Sequence, residues 1–371
     1  MINWQSELNK ILDNQIPSNN TIINNKEIVL YGAGSMGEMA LDFLDTISVQ
    51  PKYIVDRKYQ GRLRNINVIQ PEDISEKSLI SSTFIICIVT VPLSPIVDYL
   101  ESLGCKNIIH FYDYTEIYLK NKLGNGWAKF ELKDSDIENI SKVLNSMKHD
   151  KHSLAHYLQF LWWRLRRVEK VYEEYPVLSN KKYFKAPCFP KLSKEEVFLD
   201  GGAHYGSTIK SFIEAINGDF KYIYAIEPDK KNLKILKNKI EKKYFDRTVY
   251  LEIVLSNEDK EVRFIDKLGF ASKIDDLGTQ KVVSKKIDSL DIEPTIIKLH
   301  IEGHELKVLE GAKNTIEKYR PILIVLADHN EDGLFKIAHY LIKLEKYKLY
   351  FYLHDYCGNS AIFYAIPEEK K

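Results

Sequence analysis

The sequence predicts an α/β protein of two Rossmann-like, doubly wound domains joined by a helical segment. Three observations lead to this reading. Short apolar runs alternate with helix-spaced stretches twice along the chain. In each half the first run leads into a glycine-rich turn. The stretch between the halves has little strand character. The chain's 371 residues leave room for more than one core. The expected division is an N-terminal helix and linker at 1–26, a nucleotide-binding-like domain at 27–113, a helical connector at 114–194 and a second domain at 195–371.

Residues 4–13 read as a short helix, and PSNNTIINN as a linker. The pattern then changes. EIVLY fits a buried strand, GAGSMG a turn and EMALDFLD a helix; KYIVD, FIICIVT and NIIHFYD follow as strands, with a helix start at PEDI. Gly32, Gly34 and Gly37 open a helix directly after a strand, and Asp56 ends the next strand. That placement, near the roughly 20-residue offset of an acid that binds a ribose hydroxyl, predicts a site for NAD or another nucleotide. The competing reading is a fold kept as a scaffold or dimerisation module. Tyr118 and Lys122 have dehydrogenase-like spacing, which means little among 23 tyrosines.

In the connector, Leu154, Leu158, Leu161, Leu165, Val168 and Tyr172 recur in steps of four and three and predict one apolar stripe on a long helix. Trp162, Trp163, Arg164, Arg166 and Arg167 flank it. A membrane-surface role competes with a helix packed between domains, its arginines in water. Glu169, Glu173 and Glu174 dilute the positive charge and favour the packed helix.

From Glu195 the alternation resumes through EEVFLD, KYIYAIEP, VYLEIVL, TIIKLHIEG and PILIVLADH; KLYFYLHDY and AIFYAI read as an antiparallel edge. EEVFLD runs into Asp200, Gly201 and Gly202, and a helix opens after Gly206. Such a turn brings backbone close to a ligand, and an acid there can bind an amino-acid amino group like that of S-adenosylmethionine. Glu227, ending the next strand, is placed to accept ribose hydroxyls.

VFLDGGAHYGST, IYAIEPDKKNL, KKIDSL, IIKLHIEGHELKVLEGA and RPIL, in this order over about 195–367, resemble the FkbM-type methyltransferase family. The resemblance implies a Rossmann-like methyltransferase domain, O-methylation of a sugar or similar hydroxyl, and S-adenosylmethionine contacts at Asp200, Gly202, Gly206 and Glu227. The 27–113 segment resembles the nucleotide-binding-like domain that precedes the methyltransferase in some carbohydrate-modifying proteins.

Ligands of open α/β sheets sit beyond the carboxyl ends of the strands, which directs attention to Glu302, His300 and His329 as proton acceptors or acceptor-positioning groups. The family pattern has an acid where this chain has His300 and a small residue where it has His304. Histidines 300, 304 and 329 invite a metal reading, but HIEGHE is not HExxH, so no metal is expected. His304 is expected at a helix start facing solvent, and Glu305 suits the positive end of that helix.

Composition narrows the partners. With 53 basic and 52 acidic residues there is no global field for nucleic acid. The four scattered cysteines predict neither disulfides nor zinc and suit a reducing cytoplasm. No apolar run approaches a membrane span or a signal core. The partners expected are a small-molecule or glycan substrate and, as an open option, a second copy of the chain. The leading reading is a methyltransferase in surface-polysaccharide biosynthesis. The alternatives are an NAD-linked oxidoreductase or sugar-nucleotide enzyme centred on Gly32–Asp56, and a non-catalytic scaffold.

Overall fold

The computed structural model describes residues 3–14, 27–118, 132–265, 273–274 and 280–370. The PSNNTIINN stretch and Lys122 lie outside them. The expected first helix is α1 (Trp4–Asp13). Then come β1 (Ile28–Tyr31), α2 (Ser35–Thr46), β2 (Tyr53–Val55), β3 (Gly61–Leu63), β4 (Ile66–Ile69), α3 (Glu76–Ser81), β5 (Thr83–Ile86), α4 (Leu93–Ser102), β6 (Asn107–His110) and α5 (Phe111–Glu116). Their sheet has the order β3-β4-β2-β1-β5-β6. Five strands are parallel and β3 alone runs against its neighbour. Sequence patterning had not indicated β3 or β4: they span 3 and 4 residues, and only Val68 of them is buried, so they carry almost no apolar alternation.

The connector contains α6 (Asp134–Ser146) and α7 (Lys151–Arg166). After it lie β7 (Val197–Gly201), α8 (Ser207–Ala215), β8 (Tyr222–Ile226), α9 (Lys230–Lys239), β9 (Thr248–Leu251), β10 (Val254–Leu255), β11 (Lys260–Ile265), β12 (Lys273–Ile274), β13 (Gln280–Lys285), β14 (Ile296–Leu299), α10 (Glu305–Glu310), α11 (Lys313–Tyr319), β15 (Ile322–Leu326), α12 (Lys336–Ile342), β16 (Tyr347–Leu353) and β17 (Ala361–Pro367). Seven of these strands form the order β16-β17-β15-β14-β7-β8-β9, and β10 to β13 form a small separate sheet. β17 lies antiparallel between β15 and β16, giving the expected hairpin edge with the last strand placed inside it.

Both large sheets reverse direction of growth beside their first strand. β1 lies between β2 and β5, and β7 between β8 and β14. A crevice forms at each such switch point, beyond the carboxyl ends of the strands. The two glycine turns therefore mark two crevices.

Helix α7 corrects one expectation and sharpens another. It stops at Arg166, so Val168 and Tyr172 lie beyond it, and Ser153 through Leu165 are all buried rather than one stripe of them. Tyr157 and Phe160 meet the Phe351 ring of β16 at 5.2 and 5.4 Å. Trp163, on another face, belongs to the core of the first sheet with Phe111, Tyr112, Tyr114 and Cys357. The helix is thus held by both sheets. The arginines are not in water either. Arg164 is buried near Asp328. Arg166 reaches back to the Leu12 carbonyl at the end of α1, at 2.9 Å. Arg167, in a left-handed conformation at φ 55°, ends the helix. It pairs with Asp113 at 3.1 Å and also with Glu116. Charges buried this way need such partners, because desolvation costs several kcal/mol per unpaired ion. Among the described residues no helix is long and apolar enough to cross a membrane.

Trp163 joins the two halves, and its ring is fully buried. Trp163→Ala is expected to lower unfolding free energy by about 3–5 kcal/mol, measured by denaturant titration of the full chain.

Candidate active site

At the carboxyl end of β7 the backbone turns sharply through Gly202, with φ +75°; a Cβ here would lie 2.0 Å from the His300 carbonyl oxygen. Only glycine lets β7 and β14 come this close at their ends. The buried Lys298 side chain locks the turn, donating to Asp200 Oδ1 at 2.7 Å and to the carbonyls of Gly201 and Gly202 at 3.2 and 2.8 Å. Burial pushes the Asp200 carboxyl up, and the Lys298 charge opposes this. Asp200 therefore lies under the turn, while Gly202 forms the wall. Gly206 caps α8 and packs on Leu236.

A cavity of about 460 Å³ opens in front of this turn. Gly202, Glu227, Asn232 and Lys298 supply part of its wall, Ile253 and Leu255 an apolar side, and Tyr183 and Phe184 of the connector another. The Glu227 carboxylate accepts the His204 N–H at 2.8 Å, the Asp229 N–H at 3.1 Å and the Asn232 amide at 3.2 Å. A carboxylate has about four lone-pair sites, so acceptor capacity remains toward the cavity. His304 also lines this cavity, which corrects its expected solvent-facing place.

At the far end stands a cluster made by two strand ends. After β14 the chain passes His300 and Ile301, and Glu302 takes a left-handed φ of 54° ahead of Gly303 at 96°. A non-glycine residue held in this region costs of order 1–3 kcal/mol and persists where its surroundings enforce it. Glu305 is what enforces it here. Its Oε1 accepts the Ile301 N–H at 2.9 Å and its Oε2 the Gly303 N–H at 3.0 Å. His329, just past β15, places Nδ1 2.7 Å from Glu305 Oε1 and Nε2 3.7 Å from Glu302 Oε1. His300 Nε2 lies 3.5 Å from the same Glu302 oxygen. The His300 and His329 rings stack with centroids 5.0 Å apart.

These contacts divide the charge. Burial alone would drive His329 neutral, but Glu305 and Glu302 override it and raise its pKa to about 10, so it is an imidazolium at neutral pH. The same pairing holds Glu305 below its ordinary value against the pull of burial. Glu302 shares His329 with Glu305, and burial dominates: its carboxyl rises to about 7. His300 is pushed well down, by burial first and by the His329 charge second, and stays neutral. The ligand atoms of His300, Glu302 and His329 all lie within 4.8 Å of one another.

The predicted residues fall into two groups. His300, Glu302 and His329 meet, and Gly202 and Glu227 share the cavity that ends at His300 and Glu302. Gly32, Gly34 and Asp56 line a second cavity, and Gly37 packs under the turn against the Gly32 carbonyl. Lys298, Glu305 and Asp328 were missed as site residues. Lys298 and Glu305 stood inside the quoted motif string, and an apolar strand interrupted by a lysine was the available signal.

Residues 200–356 match the family model described as the methyltransferase FkbM domain. The matched stretch resembles an FkbM methyltransferase domain. Its first element is the Asp200 turn, and it extends past the cluster to Tyr356. None of the curated proteins compared with the chain matches it. Among solved structures, the methyltransferase FkbM from Methylobacillus flagellatus KT is 18% identical, with a TM-score of 0.68 over 97% of this chain and 98% of that one. At that identity the likeness is one of fold, and it extends beyond the FkbM domain to the first sheet. Precorrin-6y C5,15-methyltransferase from Geobacter metallireducens (12% identical; 47% of this chain, 80% of that one) has a TM-score of 0.29. An SAH-bound methyltransferase from Podospora anserina (12% identical; 68% and 94%) has a TM-score of 0.28. Scores at that level carry no further weight.

The Glu305–His329 pair can be tested directly. In Glu305→Gln the carboxylate that holds the proton on His329 is gone. Its imidazole pKa, followed by NMR titration, is expected to fall from about 10 toward the ordinary histidine range.

Proposed function

We propose that the protein is an S-adenosylmethionine-dependent O-methyltransferase acting on a hydroxyl of a sugar or glycoconjugate, in surface-polysaccharide biosynthesis. One observation carries this reading: a single cavity leads from the Gly202 turn and Glu227 to Glu302 and His300. The residues present fit the cofactor. Glu227 keeps acceptor capacity for a ribose hydroxyl, Ile253 and Leu255 offer an apolar wall, and Gly202 lets the ligand approach the backbone. Asp200 and Gly206 serve from behind, Asp200 through Lys298 and Gly206 through the start of α8. When bound, S-adenosylmethionine supplies an electrophilic methyl group on its sulfonium.

The chain's own part is to orient the acceptor hydroxyl and take its proton. Glu302 is the base this geometry favours, since a pKa of about 7 suits proton removal near neutrality, whereas His300 is too weakly basic. His329, charged at this pH, steadies the Glu302 carboxylate, and Glu305 fixes the orientation of His329. Neutral His300 beside Glu302 is placed to hold the hydroxyl by a hydrogen bond. The sugar and polysaccharide assignments rest on the family resemblance. All four cysteines are free thiols, which agrees with a reducing cytoplasm. No observation favours the NAD-linked or scaffold readings over this one.

S-Adenosylhomocysteine is expected to raise the melting temperature of the protein, and Glu227→Ala to abolish that rise; full retained affinity in the variant would remove the cofactor assignment. Glu302→Gln should lower kcat by about 10²–10⁴-fold and leave S-adenosylhomocysteine affinity unchanged by calorimetry. The active form of Glu302 is the carboxylate. The rate should therefore climb with pH below about 7 and level off above it, until His329 loses its proton near pH 10. Dialysis against EDTA should not alter the rate; a loss restored by a divalent cation would show that His300, Glu302 and His329 hold a metal instead.

A further inference from the structure

The first glycine turn is built like the second. Ala33 N–H donates to Asp56 Oδ2 at 2.8 Å, and His204 N–H donates to Glu227 Oε2 at 2.8 Å, each across 23 residues. In each case a carboxylate from the end of the second strand clamps the turn after the first. The fold thus provides two cradles of nucleotide type, and they are not separate in space. A second cavity, of about 600 Å³, runs between the sheets from Gly32, Gly34 and Met36 to Glu302, Asp328 and His329. It and the 460 Å³ cavity share two lining residues, His300 and Glu302. Whatever lies on the Gly34 turn therefore reaches the proton acceptor from the side opposite the Glu227 cradle.

The lining changes character along this cleft. At the first-sheet end are Arg57, Lys58 and the first turn of α2, a 12-residue helix whose N-cap, Gly34, offers no side chain to it. Amide N–H groups and cations together suit phosphate. Gly34 borders open space, since a Cβ there would meet no atom within 4 Å. At the other end the demand is reversed. Asp328 is 3% exposed, its Oδ2 accepts the Ser360 N–H at 2.6 Å, and among the described residues its Oδ1 has no hydrogen-bond partner, the ion-paired His329 Nε2 lying 3.9 Å away. A buried carboxylate oxygen left without a donor calls for one from a ligand, and sugar hydroxyls are donors of that kind. A cavity of this size lies within the range that holds a small-molecule ligand.

We propose that this cleft is the acceptor site and that its occupant is a sugar carried on a nucleoside diphosphate. The diphosphate lies on the first turn of α2 beside Arg57 and Lys58, and the sugar between Asp328 and Glu302. The proposal rests on the methyltransferase reading and extends it: the first sheet binds the substrate rather than a redox cofactor. In the reaction a carbon–oxygen bond forms at the sugar hydroxyl as the methyl carbon–sulfur bond breaks. The hydroxyl proton passes to Glu302, and S-adenosylhomocysteine leaves as a neutral thioether.

The test is calorimetry on the full-length protein with UDP, GDP, CDP, dTDP and NADH, each with and without S-adenosylhomocysteine. At least one nucleoside diphosphate is expected to bind at one site alongside S-adenosylhomocysteine. Gly34→Leu fills the open space at the turn and should weaken that binding by at least about tenfold, with S-adenosylhomocysteine affinity unchanged as the control for folding. Lys58→Glu, at the cleft edge, should weaken it in the same direction. The sugar nucleotide of the base that binds should gain one methyl group in mass spectrometry. The proposal is overturned if no nucleoside diphosphate binds, if NADH alone binds, if the diphosphate competes with S-adenosylhomocysteine, or if both variants bind like wild type. Diphosphate binding that persists where S-adenosylhomocysteine fails would instead overturn the methyltransferase reading and support the ligand class of the cleft.

Discussion

The site depends on one buried carboxylate. Glu305 holds the backbone of Ile301 and Gly303 with its two oxygens and binds His329 with one of them. The first task fixes the left-handed turn that aims Glu302 into the cavities. The second sets the charge on the neighbouring strand end. An apolar residue at 305 would leave two part-buried N–H groups and an imidazole without their acceptor, and each such loss costs about 1–3 kcal/mol. Geometry and electrostatics thus share a single side chain, at the first turn of α10. The positive end of that helix adds to its preference for an anion.

Lys298 does for β7 what Glu305 does for β14. Its ammonium satisfies Asp200 and two carbonyls where the strand ends and the turn begins. A lysine in the middle of a buried strand would otherwise carry a heavy desolvation penalty. Here it ties the Asp200 carboxylate and the Gly201 and Gly202 carbonyls into a rigid floor, the Gly201 oxygen also accepting the His300 N–H at 3.1 Å. The two devices stand on adjacent parallel strand ends, paired as Lys298 with Asp200 and Leu299 with Gly201 in register. A one-residue shift of β7 against β14 would break the Lys298–Asp200 pair.

Much of this was legible in the sequence, and the reasons for the rest are physical. Apolar runs bounded by turns marked β1, β2, β5, β6 and every strand of the large second sheet, because those strands carry mainly apolar side chains and the central ones are buried on both faces. The strands β3, β4 and β11 to β13 escaped, because they are short or lack such faces, and VYLEIVL, read as one strand, divides into β9 and β10. Glu302, His300 and His329 could be named from strand ends alone. The tasks of Glu305 and Asp328 could not, since each is defined by a partner on another element: His329 for the first, Ser360 and the cleft for the second. Helix α7 misled for the same reason. Arginines beside an apolar stripe ordinarily face water, and the anions that accept Arg167 come from α5, far earlier in the chain.

The left-handed turn at Glu302 has a consequence for traffic. The two cavities touch at this residue and at His300, and each has its own lining everywhere else. The separate linings leave room for two molecules at once, meeting across one carboxylate. Neither has to depart to admit the other. A shared doorway would impose an order of arrival and release; separate linings impose none.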